Sequence, residues 1–210
     1  SEEEGVFYVG CAGGRDTSIR LPVARAPLPA GHVAVRVDVK GLRGGHSGLD
    51  IVLNRGNALR LVARTVSAAA DAMPLRLVAI EGGDKLNAIP REAWAKVAVP
   101  AASVAALEGI CAAQLAGFRT EFASAEPELS LTAAREGEAP ADAMDEASTR
   151  TALALVLGLP HGVLAMSRDL PGLVETSSNV ARVRTEASAV AILTSSRSSN
   201  ASALDGVIGQ

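Results

Sequence analysis

The sequence is short of the residues from which most recognisable sites are built. Its 210 residues include two cysteines and three histidines, and none of the patterns HxxxH, HExxH or CxxC occurs. His32, His46 and His161 stand far apart with no Asp beside them at ligand spacing, so nothing in the chain builds a zinc site by itself. Cys11 and Cys111 each sit among apolar or small residues, which suits reduced core thiols in a cytoplasmic protein. A Cys11–Cys111 bridge is the lesser alternative. Clustered basic charge is missing too. The 20 Lys and Arg and 23 Asp and Glu are scattered to a net charge of -3, without the cationic face that phosphate backbones demand, which argues against nucleic acid as a partner. No apolar run reaches the roughly 18 to 20 residues that span a bilayer, so no membrane is expected. The chain opens Ser1-Glu2-Glu3-Glu4, acidic where a signal peptide is basic, and without an initiator Met; that start reads as cut from a longer chain.

What is present is a globular balance, 48% hydrophobic and 20% charged, and clear periodicity. Val6 to Val9 is a short strand candidate, closed by Gly10 and the small residues Ala12-Gly13-Gly14. Val33, Val35, Val37 and Val39 alternate with polar residues as a half-buried strand does. Leu59, Val62 and Val66 recur at helical spacing, predicting a helix over 53–71. Strands follow near 75–79 and 93–99, separated by the loop Gly82-Gly83-Asp84-Lys85. Leu107, Cys111, Leu115, Phe118 and Phe122 mark a second long helix, and Leu129 to Thr132 a last strand. The order is βαββαβ.

Residues 136–147 read as a linker. Beyond them Ser148 is placed to cap a helix running through Leu157, strands are expected at 161–166, 173–184 and 187–194, and a helix from about Ser198. The expected architecture is an α/β sandwich: one mostly antiparallel sheet with helices on one face, built from two βαββαβ-like lobes. Residues 21–135 form the first lobe and 148–210 the second, while 1–20 connect to or abut something outside them.

Three places could carry chemistry. Gly41-Leu42-Arg43-Gly44-Gly45-His46-Ser47-Gly48 follows the strongest strand, and such a turn brings backbone close to a ligand while projecting one imidazole. A phosphate loop would need Gly-Lys-Ser/Thr, and a nucleophile elbow would need Gly where Leu49 stands. His46 bonded only to local backbone is the plainer alternative. Asn87, between apolar neighbours at the mouth of a strand, could donate to a carbonyl and accept from an amine, or simply close its turn. Arg197, among small hydroxyls where a strand is expected to pass into a helix, suits bidentate capture of a carboxylate, with a solvated surface as the alternative. The polar notch Glu175 to Asn179 is read as structural. Glu2, Glu3 and Glu4 read as a solvated end rather than as a general base.

Ser1-Glu2-Glu3-Glu4-Gly5, Gly10-Cys11-Ala12-Gly13-Gly14, the Gly41–Gly48 turn, Asn87-Ala88-Ile89-Pro90-Arg91-Glu92 and Val174-Glu175-Thr176-Ser177 together, in order and spacing, resemble the aminoacyl-histidine dipeptidases, carnosinase-like zinc metallopeptidases. The resemblance covers essentially the whole chain. It implies a catalytic domain with two bridged zinc ions, interrupted by a long insertion that forms lid and homodimer interface; this sequence corresponds to that insertion, with no metal ligand of its own. In the family, Ser-Glu-Glu-Glu-Gly follows a zinc-ligating Asp, so the chain is expected to begin just past a ligand. The resemblance further implies that His46 stabilises the developing oxyanion of an Xaa-His dipeptide, that Asn87 holds the substrate and that Arg197 grips its free carboxylate. The fragment alone is then expected to be inactive. The competing expectation is a non-catalytic α/β interaction module, and a small-ligand protein using the glycine turn is a distant third.

Overall fold

The computed structural model describes residues 11–209, so the strand expected at Val6–Val9 and the Glu2–Glu4 run lie outside the described residues. In chain order the elements are β1 Gly13–Pro22, β2 Arg25–Pro27, β3 His32–Lys40, β4 Gly45–His46, α1 Ala58–Ala72, β5 Arg76–Gly82, β6 Ala88–Ile89 and β7 Ala93–Pro100. Then follow α2 Val104–Phe122, β8 Ser130–Glu138, β9 Asp142–Met144, α3 Glu146–Gly158, β10 Gly162–Met166, β11 Val174–Thr185, β12 Ala189–Ser198 and α4 Ala201–Ile208.

Alternating valines make β3 the centre of the first half. Val35, Val37 and Val39 are fully buried, and the strand pairs antiparallel with β7 and β8 on its two sides. Leu59, Val62 and Val66 of α1 and Leu107, Cys111 and Phe118 of α2 are buried in the same core. Each such side chain contributes about 1.5–3 kcal/mol when removed from water, and a one-residue slip would turn all the valines outward. The opposite face is polar: Arg36 lies 4.4 Å over the Trp94 ring and pairs with Asp38, and Lys96 pairs with Glu136.

The large sheet runs β1-β12-β11-β5-β7-β3-β8, with β10 added to β11, and its recorded pairings are all antiparallel. The architecture is therefore α/β with a mostly antiparallel sheet and its helices on one face, as expected. One strand contact, Val183 opposite Gly82, joins the half containing β3 to the half containing β11. Two small antiparallel pairs, β2–β9 and β4–β6, stand apart.

Several elements differ from expectation for identifiable reasons. Gly13–Pro22, expected as a turn and connection, is an edge strand, because it pairs in unbroken antiparallel register with ten residues of β12. The helix expected from 53 begins at Ala58: Asn54 takes a left-handed φ of 49°, ending a short 3-10 turn at Ile51–Leu53, and Asn57 starts the helix afresh. The expected linker is largely β8 and β9. Asp145, not Ser148, caps α3, accepting the Ser148 amide at 2.7 Å. Cys111 is buried as expected, its thiol pushed up to about 11 by desolvation and then by Glu108. Cys11 is exposed rather than in the core, and both thiols are free.

Candidate functional site

His46 sits in a turn that its glycines make possible. Gly44 and Gly45 have φ of 63° and 141°, and a Cβ on Gly45 would meet Asp50 Cβ at 2.7 Å. Without that Cβ, the His46 amide donates to Asp50 Oδ2 at 2.8 Å, and the Asp50 amide donates back to the His46 carbonyl at 2.8 Å. The ring is oriented as well. The Gly48 and Leu49 amides donate to its Nδ1 at 3.1 and 3.2 Å. An accepting Nδ1 puts the proton of the neutral ring on Nε2, so the imidazole presents an N–H donor.

Both ends of this segment hang on one side chain. Glu126 is 2% exposed; its Oε2 accepts the Arg43 amide at 2.8 Å and its Oε1 the Gly56 amide at 2.9 Å. Hydrogen bonds to a charged group contribute about 1.5–3 kcal/mol each. At the far end Asn57 caps α1, its Oδ1 accepting the Leu59 amide at 3.0 Å, while its Nδ2 donates to the Val180 carbonyl at 2.9 Å. Val180 lies between the stretch of β11 paired with β10 and the stretch touching β5, so its backbone lacks a strand partner on that edge. His161 supplies the other half, its Nδ1 accepting the Val180 amide at 3.3 Å. Burial, and then the nearby Arg60 guanidinium, push the His161 pKa down to about 4.

The three residues singled out from the sequence meet at Ser47-Gly48. Asn87 is exposed, and its carbonyl accepts the Ser47 amide at 2.8 Å, beside the β4–β6 pair that sets His46 opposite Ala88. Arg197 lies within β12, opposite Ser177 of β11 and Gly14 of β1, rather than at a strand-to-helix passage, because β12 runs to Ser198 and α4 starts at Ala201. A Cβ on Gly48 would meet the His46 ring at 3.1 Å and Arg197 Cδ at 3.5 Å. Among the described residues Arg197 Nε is buried without a hydrogen-bond partner, as are Ser47 Oγ and Asn179 Oδ1. Next door the polar notch is structural: Thr176 bonds Ser198 at 2.8 Å and Ser178 bonds Ser196 at 3.0 Å through their hydroxyls. Strand alternation then places Ser177, Asn179, Ser195 and Arg197 together on the other face.

Sequence reasoning missed Asp50 and Glu126, and read Asn179, in the polar notch of β11, as structural. Asp50 follows His46 closely enough that an Asx-type bond was legible. Glu126 lies far from the turn in sequence and has no local signal, while the notch around Asn179 gave no sign of the distant loop it bonds. Among the described residues no three His, Cys, Asp or Glu side chains gather as metal ligands. The described residues do not fit either of the two zinc ions that the resemblance implies for the parent protein.

Residues 37–126, which include His46, Asn87 and Glu126 but not Arg197, match the peptidase dimerisation domain family. The chain is 39% identical over 180 residues to a cytosol non-specific dipeptidase of Escherichia coli strain K12, covering 86% of this chain and 37% of that protein. Its fold matches an aminoacylhistidine dipeptidase from Vibrio alginolyticus with a TM-score of 0.94 and 37% identity, over 100% of this chain and 42% of that one. The chain thus spans about two fifths of the length of these relatives. Residues 37–126 thus match a peptidase dimerisation domain, set in a segment that matches, over its full length, part of an aminoacylhistidine dipeptidase.

Proposed function

We propose that this chain is the lid and dimerisation region of a zinc-dependent, cytoplasmic aminoacyl-histidine dipeptidase, and that it supplies substrate-holding groups to a catalytic domain carried elsewhere in the parent protein. The observation that carries the reading is the fixed tautomer of His46. An N–H donor locked by two backbone amides needs no reorganisation when negative charge develops on a carbonyl oxygen, which is what oxyanion stabilisation requires. Arg197 beside it has the fork geometry that grips a carboxylate and, among the described residues, no partner for its buried Nε, and the exposed Asn87 side chain would bond the substrate amide or amine. The three groups suit a dipeptide: its scissile carbonyl, its C-terminal carboxylate and its polar backbone. Zinc in the parent would supply an activated water. The cytoplasmic assignment rests on the name of the Escherichia coli relative.

The dimer half of the proposal rests on α2. The helical stretch Ala101–Ala125 is long and apolar enough by composition to cross a membrane, yet only 17% of its most apolar window is buried. One strip of its exposed positions is small: Ala105, Gly109, Ala112 and Ala116 stand away from buried Leu107, Cys111 and Phe118, while Glu108, Arg119 and Glu121 give the rest of the exposed surface its charge. A second copy packed on this face, beside the edge strand β8, would cover it. Residues 21–135 and 148–210 serve as the two lobes of the lid. The same face would serve a purely structural interaction module, which the buried polar atoms of Ser47 and Arg197, without partners among the described residues, do not favour.

The test is His46→Ala in the parent enzyme. Turnover of an Xaa-His dipeptide should fall about a hundredfold or more, as losing one oxyanion donor does elsewhere. Unchanged turnover removes His46 from the mechanism.

A further inference from the structure

Asn179 is fully buried in β11, and its hydrogen bonds are unusually one-sided. Its Nδ2 donates to the Ala88 carbonyl at 2.8 Å and to the Leu86 carbonyl at 3.5 Å, while its Oδ1 is buried with no partner. Those two carbonyls flank Asn87. The carbonyl between them, that of Asn87, accepts the Ser47 amide at 2.8 Å. Three consecutive carbonyls are thus held, two by the Asn179 carboxamide and one by the turn that carries His46. The Asn87 side chain has no partner of its own among the described residues, and Asp84, Lys85 and Leu86 before it are exposed. Where its carboxamide stands is therefore set by the backbone that Asn179 clamps.

We infer that Asn179 is a positioning residue for Asn87: it ties the Asn87 loop to β11, the strand directly paired with Arg197's strand, and so sets the spacing between the two substrate-holding groups. This rests on the proposed role of Asn87 in holding substrate. A buried Asn that leaves its own acceptor unpaired while committing its donors to one loop is not explained by its own satisfaction. An apolar side chain of like volume would fill the space and leave the Leu86 and Ala88 carbonyls without their donor.

The experiment has two arms. In the 210-residue chain, Asn179→Leu should speed amide exchange at Ser47 by about tenfold or more while Val35 and Val97 in the core stay protected. If Val35 also loses protection, Asn179→Ser carries the same comparison. Unchanged exchange at Ser47 overturns the inference. In the parent enzyme, Asn179→Leu should raise KM for a dipeptide by about tenfold with a smaller change in kcat, and should add nothing in an Asn87→Ala background. Equal losses in both backgrounds mean that Asn179 acts elsewhere, and the inference fails. Faster exchange at Ser47 combined with a silent Asn87→Ala upholds the clamp and removes Asn87 from substrate binding, so the two failures are distinguishable.

Discussion

His46 and Arg197 close on the same glycine. A Cβ on Gly48 would crowd the imidazole at 3.1 Å and make ordinary contact with the arginine Cδ at 3.5 Å, so both side chains lie against this one residue. One comes from the turn after β3 and the other from β12, and the sheet brings them together.

Arg197→Lys keeps the charge and loses the planar fork. In the parent enzyme it should raise KM for a dipeptide by about tenfold to a hundredfold, with kcat less affected, because a point charge cannot make the paired bonds. A dipeptide amidated at its C terminus should lose this sensitivity. If KM stays constant for the free acid, Arg197 does not hold the carboxylate.

Glu126→Gln replaces one accepting oxygen with an NH2 that must face a backbone N–H. The Arg43 and Gly56 amides can no longer both be satisfied, and stability should fall by about 2–3 kcal/mol in denaturant unfolding of the chain. A change below about 0.5 kcal/mol would show that the carboxylate is not what holds the turn.

His161 predicts an acid sensitivity with a defined window. Its folded pKa of about 4 lies below the ordinary 6.5, so between these values the unfolded chain takes up a proton that the native chain refuses. The stability that the neutral ring contributes is complete above pH 6.5 and falls as the pH drops toward 4, by about 3 kcal/mol in all, levelling off below. His161→Gln keeps an acceptor for the Val180 amide without titrating. Urea midpoints measured from pH 7 to 4 should slope less for this variant, and parallel slopes would refute the assignment.

Ala116→Glu places a charge on the exposed face of α2, remote from the core. If two copies pair through α2 as proposed, the variant should be monomeric at micromolar protein in sedimentation or light scattering where the unsubstituted chain is dimeric, with thermal stability of the monomer changed by no more than about 0.5 kcal/mol. Persistence of the dimer would put the interface on another face.

The elements with strong internal rhythm are legible in the amino-acid order itself. Val33 to Val39 announce β3, and Leu107 to Phe122 announce α2, because burial on one face imposes a period that the chain records. The glycine turn is legible for a similar reason: positive φ selects glycine. Less is legible where the partner is distant. Gly13–Pro22 is a strand only because β12 pairs with it, and Arg197 lies inside a strand because that pairing persists to Ser198.

The sequence alone therefore determined the α/β pattern, the two long helices, and the three side chains nominated for chemistry. Only the tertiary structure decided that these three meet around Ser47 and Gly48, that His46 presents Nε2 as its donor, and that Glu126 and Asn179 hold the site in place. The reason is physical. Periodicity and turn chemistry act between near neighbours, whereas a buried carboxylate or carboxamide takes its meaning from whichever backbone groups the fold leaves unpaired beside it.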